Sequence, residues 1–146
     1  MEADIRLSAS LEDYLKAIFH IVAEKQVARA KDVARRLGVT RSSVTVALRA
    51  LAARDLINYA PYEVITLTAE GARVSEDVVW RHRTLLDFFV KVLRVEGSLA
   101  DKAACEMEHT LPPEILGPLT GFVDFVERCP QCLEEFRQEQ AEKKGE

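Results

Sequence analysis

No stretch of this chain stays apolar for the roughly 20 residues a membrane-spanning helix needs. Its first ten residues, MEADIRLSAS, begin acidic and hold no apolar signal core. A cytoplasmic protein with no membrane partner is therefore expected. Cysteine is scarce: Cys105, Cys129 and Cys132 are an odd number without a secretory context, which favours reduced thiols or metal ligands over a disulfide framework. There is no Gly-rich phosphate loop and no nucleophile elbow. These absences argue against an enzyme, leaving a small metalloenzyme only as an alternative. What is present, 146 residues with 48% hydrophobic and 30% charged, suffices for one core or two small cooperating domains.

The net charge of −4 conceals a polarity along the chain. Residues 25–54 carry eight basic side chains (Lys25, Arg29, Lys31, Arg35, Arg36, Arg41, Arg49, Arg54) against the single acid Asp32, whereas residues 76–146 carry fifteen acids against nine Lys or Arg. The basic segment calls for an anionic partner, and the acidic one for an ion or a protein. A solvated arginine face is the plainer alternative, and the placement of the arginines decides between them.

Ser10-Leu11-Glu12-Asp13 reads as an N-cap with acids in the first turn of a helix ending near Glu24, its apolar stripe formed by Leu11, Leu15, Ile18, Phe19 and Val22. Residues 30–37 form a second helix that Gly38 caps in a left-handed conformation. Residues 40–54 form a third, opened by Thr40, with Val44, Ala47, Leu48 and Leu51 inward. A short helix, a tight turn and a Thr-capped helix make a helix-turn-helix. The exposed start of the third helix presents Thr40, Arg41, Ser42 and Ser43, small hydroxyls and a guanidinium suited to the major groove, and Arg29, Arg36 and Arg49 complete a DNA-binding set. Residues 56–59 and 63–68 read as two strands around Ala60-Pro61-Tyr62, the wing of a winged helix. The same fold also serves as a protein-interaction module, whose third helix would be acidic or apolar; this one is neither.

From Ala72 to about Val95 there is no internal Gly or Pro, and a broad apolar face predicts one long helix. Gly97-Ser98 breaks it and Ser98 caps the next helix, which Pro112-Pro113 ends; a last helix covers residues 113–127. The apolar excess of Leu85, Phe88, Phe89, Val92, Leu116, Leu119, Phe122 and Phe125 suggests a face that closes against a second copy. Within this half, Cys105-Glu106-Met107-Glu108-His109 packs three ligand types into five residues. On a helix Cys105, Glu108 and His109, at i, i+3 and i+4, share one face. A thiolate, a carboxylate and an imidazole suit a borderline divalent ion better than Ca²⁺ or Mg²⁺. The plainer reading is a half-buried helix with one core cysteine. His82, taken alone, reads as a core histidine.

The Asp-Tyr-Leu step of the first helix, the winged helix, Arg81-His82-Arg83 and Cys105-x-x-Glu108-His109 together resemble the diphtheria toxin repressor family of metal-dependent transcriptional repressors, over residues 7–126. The resemblance implies a mainly α fold: a winged-helix DNA-binding domain (residues 1–73), a helical metal-binding and dimerisation domain (74–137) and a charged tail (138–146). It implies Asp13, His82, Cys105, Glu108 and His109 as metal ligands; Asp101, a departure from the family pattern, is an ancillary candidate. Fe(II) is the favoured ion and Mn(II) the next, with Zn(II), Co(II) and Ni(II) as alternatives. The implied partners are operator DNA and a second copy of the chain, and the implied function is repression in divalent-metal homeostasis. A metal-independent winged-helix regulator is the rival. Length resembles the manganese-type members and Cys105 the iron-type ones. Three departures point to one ion rather than two: Lys16 where the manganese type has a ligand glutamate, and Leu86 and Asp101 where the iron type has an ancillary glutamate and histidine. Cys129-Pro130-Gln131-Cys132 supplies half of a structural zinc site but no second pair. Two reduced thiols in a loop before a partly disordered tail is the favoured reading; a second metal site completed by another protomer's pair or another side chain comes next, and a redox disulfide is the smaller third.

Overall fold

In a computed structural model, residues 7–145 are described; the acidic opening residues 1–6 and the terminal Glu146 lie outside the described residues. The chain divides into two compact units, Met1–Val79 and Trp80–Glu146. The division falls six residues beyond the domain boundary expected from the sequence.

The first unit begins with α1 (Ala9–Lys25), capped by Ser8, whose hydroxyl accepts a hydrogen bond from Leu11 N at 3.2 Å. The cap thus lies two residues before Ser10: Ser8 has the extended backbone a cap needs (φ −66°, ψ 154°), whereas Ser10 is already helical. α2 (Ala30–Leu37) ends on Gly38 at φ 65°, and α3 (Arg41–Ala53) starts from Thr40, whose hydroxyl accepts from Ser43 N at 3.2 Å. Leu15, Ile18, Val33, Val44, Leu48 and Leu51 are all fully buried in the core these helices share. Each contributes about 1.5–3 kcal/mol by leaving water.

β1 (Ile57–Asn58) and β2 (Thr66–Leu67) pair antiparallel, Ile57 opposite Leu67 and Asn58 opposite Thr66. The wing's paired strands are shorter than the runs read from sequence, since the tip carries Pro61 and Tyr62, the latter at φ 68°. Ala28 and Ile65 exchange backbone hydrogen bonds at 3.0 and 2.8 Å, tying the wing to the α1–α2 link. Thr68 then caps α4 (Ala69–Asp87) by accepting from Gly71 N at 3.0 Å.

The predicted single helix over residues 72–95 is corrected: α4 ends at Asp87 and the chain widens into a π-helical turn, Phe88–Val92, closed by Leu93 N donating to Phe88 O at 3.2 Å. No Gly or Pro announces this turn. It is held by tertiary contacts that sequence periodicity does not carry: Phe88 packs on Phe122 with centroids 6.4 Å apart, and Lys91 pairs with Glu127 at 2.9 Å. α5 (Gly97–Met107) is capped by Glu96 rather than Ser98; its carboxylate accepts from Ser98 N at 3.0 Å and Leu99 N at 3.1 Å. α6 (Pro113–Glu127) follows as expected. The tail is corrected as well. α7 (Pro130–Lys144) is helical throughout, with Pro130 in its first turn and Lys143 and Lys144 in its last. Its Glu, Gln, Lys and Ala residues are strong helix formers with complementary termini.

Of the apolar residues assigned to a self-association face, Leu85, Val92 and Leu116 are buried within the second unit itself. Phe122 and Phe125, with Leu99 and Ile115, stay about half exposed or more (49%, 56%, 60% and 49%). Among the described residues no helix is long and apolar enough to cross a membrane.

Candidate metal centre and nucleic-acid interface

α4 brings His82 opposite α5. His82 Nδ1 lies 2.6 Å from Glu108 Oε2 and 3.7 Å from Cys105 Sγ, and the ligand atoms of His82, Cys105 and Glu108 all lie within 4.8 Å of one another. The helical spacing accounts for the α5 side, where Cys105 stands one turn before Glu108, the C-cap residue, whose N–H donates to Ala104 O at 2.9 Å. His109 follows directly, its Nε2 3.6 Å from Glu108 Oε1. Glu108 is completely buried. A carboxylate removed from water is retained only where cationic or donor groups compensate it, and here imidazoles and a thiol surround it. That donor set of sulfur, nitrogen and oxygen fits a borderline divalent transition ion.

Two features of the cluster were not legible as such. Arg81, buried beside His82 in the sequence, donates from Nη1 to the backbone oxygen of Glu108 at 2.7 Å, fixing the peptide that carries two candidate ligands. An arginine next to the motif histidine was visible, but the direction of its side chain was not. Asp101, the ancillary candidate, points its Oδ1 at His82 Nε2, 3.0 Å away. Asp13 lies half-buried on α1 in the first unit. Cys129 and Cys132 are bonded to each other, not reduced in a loop: Cys129 is the N-cap of α7 and Cys132 sits in its first turn, which holds their Cα atoms 5.4 Å apart, within disulfide range.

In the first unit, the predicted residues of α3 lie open to solvent: Thr40, Arg41, Ser42, Ser43 and Arg49 are exposed. Thr40 Oγ also lies 3.0 Å from the hydroxyls of Ser42 and Ser43, so the cap organises the hydroxyl cluster. Arg29, Lys31, Arg41 and Arg49 line a groove of about 430 Å³ together with Thr45, Tyr59 and the wing's Tyr62. Four cations against one acid, Glu63, give this groove a phosphate-binding character. Lys31 and the two tyrosines are additions to the predicted set. Arg36 is directed elsewhere, to Glu24 Oε1 at 2.9 Å.

The comparisons with known proteins follow this division. Residues 6–65 match the model of the iron dependent repressor N-terminal DNA binding domain, and residues 68–137 that of the iron dependent repressor metal binding and dimerisation domain. An uncharacterized HTH-type transcriptional regulator of Methanocaldococcus jannaschii is 33% identical over 119 residues, covering 81% of this chain and 95% of the relative. The HTH-type transcriptional regulator MntR of Shouchella clausii is 30% identical over 129 residues, covering 88% of this chain and 90% of its own. A solved manganese-dependent transcriptional repressor in complex with manganese superposes with a TM-score of 0.70 at 28% identity, over 79% of this chain; the chain spans about half (53%) of that structure's length. With both domain models matched in order along residues 6–137, the chain belongs to the iron-dependent repressor family.

Proposed function

We propose that this protein is a metal-activated, DNA-binding transcriptional repressor that controls the supply of a divalent transition metal, acting as a homodimer in the cytoplasm without catalytic activity. The observation that carries the reading is the buried Glu108 carboxylate, with His82 2.6 Å away and Cys105 in the same cluster. Such a group is costly to bury for stability alone and well suited to a cation.

His82, Cys105, Glu108 and His109 would hold the ion; the family resemblance adds Asp13, and Asp13→Asn tests that addition through metal affinity. A bound divalent cation would supply a positive charge toward which these sulfur, nitrogen and oxygen donors converge. Arg81 steadies the Glu108 backbone, and Glu96 anchors the start of the ligand-bearing helix α5. In the first unit, Arg29, Arg41 and Arg49 supply phosphate contacts while Thr40, Ser42 and Ser43 face the bases. His82, Cys105, Glu108 and His109 belong to the second unit and the DNA-facing residues to the first, so the effect of metal on DNA is a coupling free energy between two sites. The thiolate of Cys105 favours Fe(II) over Mn(II), and the family resemblance keeps Mn(II) as the second candidate. A single ion per chain is proposed, since Lys16 offers no lone pair while charged and Leu86 offers none at all. The exposed Leu99, Ile115, Phe122 and Phe125 support self-association of the second unit.

The test is fluorescence anisotropy on a DNA fragment selected by the protein from genomic fragments, with chelator and then with Fe(II), Mn(II) and Zn(II), Fe(II) under anaerobic conditions. Metal should tighten binding by at least about tenfold, within the usual range of such couplings. Affinity that is the same after chelation would favour the metal-independent regulator instead.

A further inference from the structure

The two nitrogens of the His82 ring face different partners. Nδ1 points into the cluster, toward Glu108 Oε2 at 2.6 Å and Cys105 Sγ at 3.7 Å, while Nε2 points outward to Asp101 Oδ1 at 3.0 Å. The in-plane lone pairs of an imidazole diverge widely, so one ring cannot offer both nitrogens to one ion. If Nδ1 is the ligand, Nε2 must carry the proton, and an N–H at that position needs an acceptor. Asp101 is that acceptor in place. Its side chain is 61% exposed and Glu108 is fully buried, so the two carboxylates flanking the ring occupy opposite environments. Residue 86, one turn beyond His82 on α4, is Leu86, which offers no oxygen with which Asp101 could share a second ion.

We infer that Asp101 is a positioning residue, not a metal ligand: it accepts the His82 Nε2–H, which fixes the ring's orientation and reserves Nδ1 for the ion held with Cys105 and Glu108. The assignment rests on the cluster being a metal site. Carboxylates that orient ligand histidines in this way contribute about 10- to 100-fold in metal affinity.

The experiment compares the full-length parent with Asp101→Ala and Asp101→Asn by calorimetric titration with Zn(II) and Mn(II), and by long-range ¹H–¹⁵N correlation of the zinc-loaded, histidine-labelled protein. Zinc-loaded parent should show His82 coordinated through Nδ1 and protonated at Nε2. Asp101→Ala should keep the parent's number of ions per chain but bind them about 10- to 100-fold more weakly. Asp101→Asn, whose side-chain carbonyl still accepts from Nε2–H, should recover most of that loss. The inference is overturned if Asp101→Ala loses one ion per chain while the remaining affinity is unchanged, which would make Asp101 a ligand. It is equally overturned if Asp101→Ala binds like the parent, or if Nε2 proves to be the coordinated nitrogen. Glu108→Ala separates this from the underlying reading: if that variant binds metal like the parent, the cluster itself is not the metal site.

Discussion

Gly71 sits in the first turn of α4, where the helix crosses the backbone of the wing. A Cβ at this position would stand 1.8 Å from the carbonyl oxygen of Leu56, 2.8 Å from its carbon and 3.2 Å from its Cα. Carbon and oxygen approach comfortably to about 3.3 Å, so Gly71→Ala requires a local retreat of about 1.5 Å. The obstacle is backbone, so no rotamer change relieves it. Overpacking of this kind costs up to about 3 kcal/mol in the common range. The same Leu56 carbonyl accepts from Thr68 N at 3.1 Å, and disturbing that bond adds about 1 kcal/mol. Better helix propensity returns about 1 kcal/mol, leaving a net loss near 3 kcal/mol. At roughly 2–4 °C per kcal/mol for a chain of this size, the melting temperature followed by circular dichroism should fall by about 6–12 °C. Gly121 on α6, where an added Cβ meets nothing within 4 Å, is the control: Gly121→Ala should be neutral or stabilising by up to about 1 kcal/mol. A Gly71→Ala protein that melts at or above the parent temperature would show that α4 does not lie against the Leu56 backbone.

Other expectations follow from single contacts. Arg41→Ala and Arg49→Ala should each weaken DNA binding and reduce the slope of log affinity against log salt by about one unit, leaving metal affinity without DNA unchanged; an unaltered slope in both would remove α3 from the interface. Hydrogen bonds from the Ser98 side chain, and then from the Ser98 and Leu99 backbones, hold the Glu96 carboxyl below its ordinary pKa of 4.5. A depressed pKa stabilises the fold above the unfolded value and loses that contribution as pH falls through the folded one. Chemical denaturation of parent and Glu96→Ala should thus differ above about pH 5 and converge in stronger acid; a difference that grows on acidification would contradict the cap. Replacing both Cys129 and Cys132 with serine should leave metal-dependent DNA binding intact, because the proposed ligands lie upstream; loss of the metal response would give the bridge a regulatory role.

Much of the first unit was legible because its signals are local. Thr40 before a hydroxyl-rich helix start, Gly38 after Leu37 and the apolar spacing of Val44, Leu48 and Leu51 each specify a boundary or a face within a few residues. The cluster was legible for the same reason on its α5 side, where Cys105, Glu108 and His109 lie within about one turn. What periodicity could not give is the direction of side chains between elements. Arg81 reaching the Glu108 carbonyl, Asp101 facing the outer nitrogen of His82, and the π-helical turn at Phe88 packing on Phe122 all depend on contacts across 19 to 34 residues of sequence. The tail was misread on composition: a run of charged and polar residues marks disorder or an exposed helix equally, and Pro130 in the first turn tips it to helix.

The central claim is that metal at the His82, Cys105 and Glu108 cluster and DNA at the α3 surface are coupled, and linkage makes the coupling reciprocal. Mn(II) affinity of the full-length protein should therefore be measured by titration without DNA and with a saturating selected operator. The account predicts that operator tightens Mn(II) binding by the same factor by which Mn(II) tightens operator binding. Mn(II) affinity that does not change when DNA is bound would contradict it.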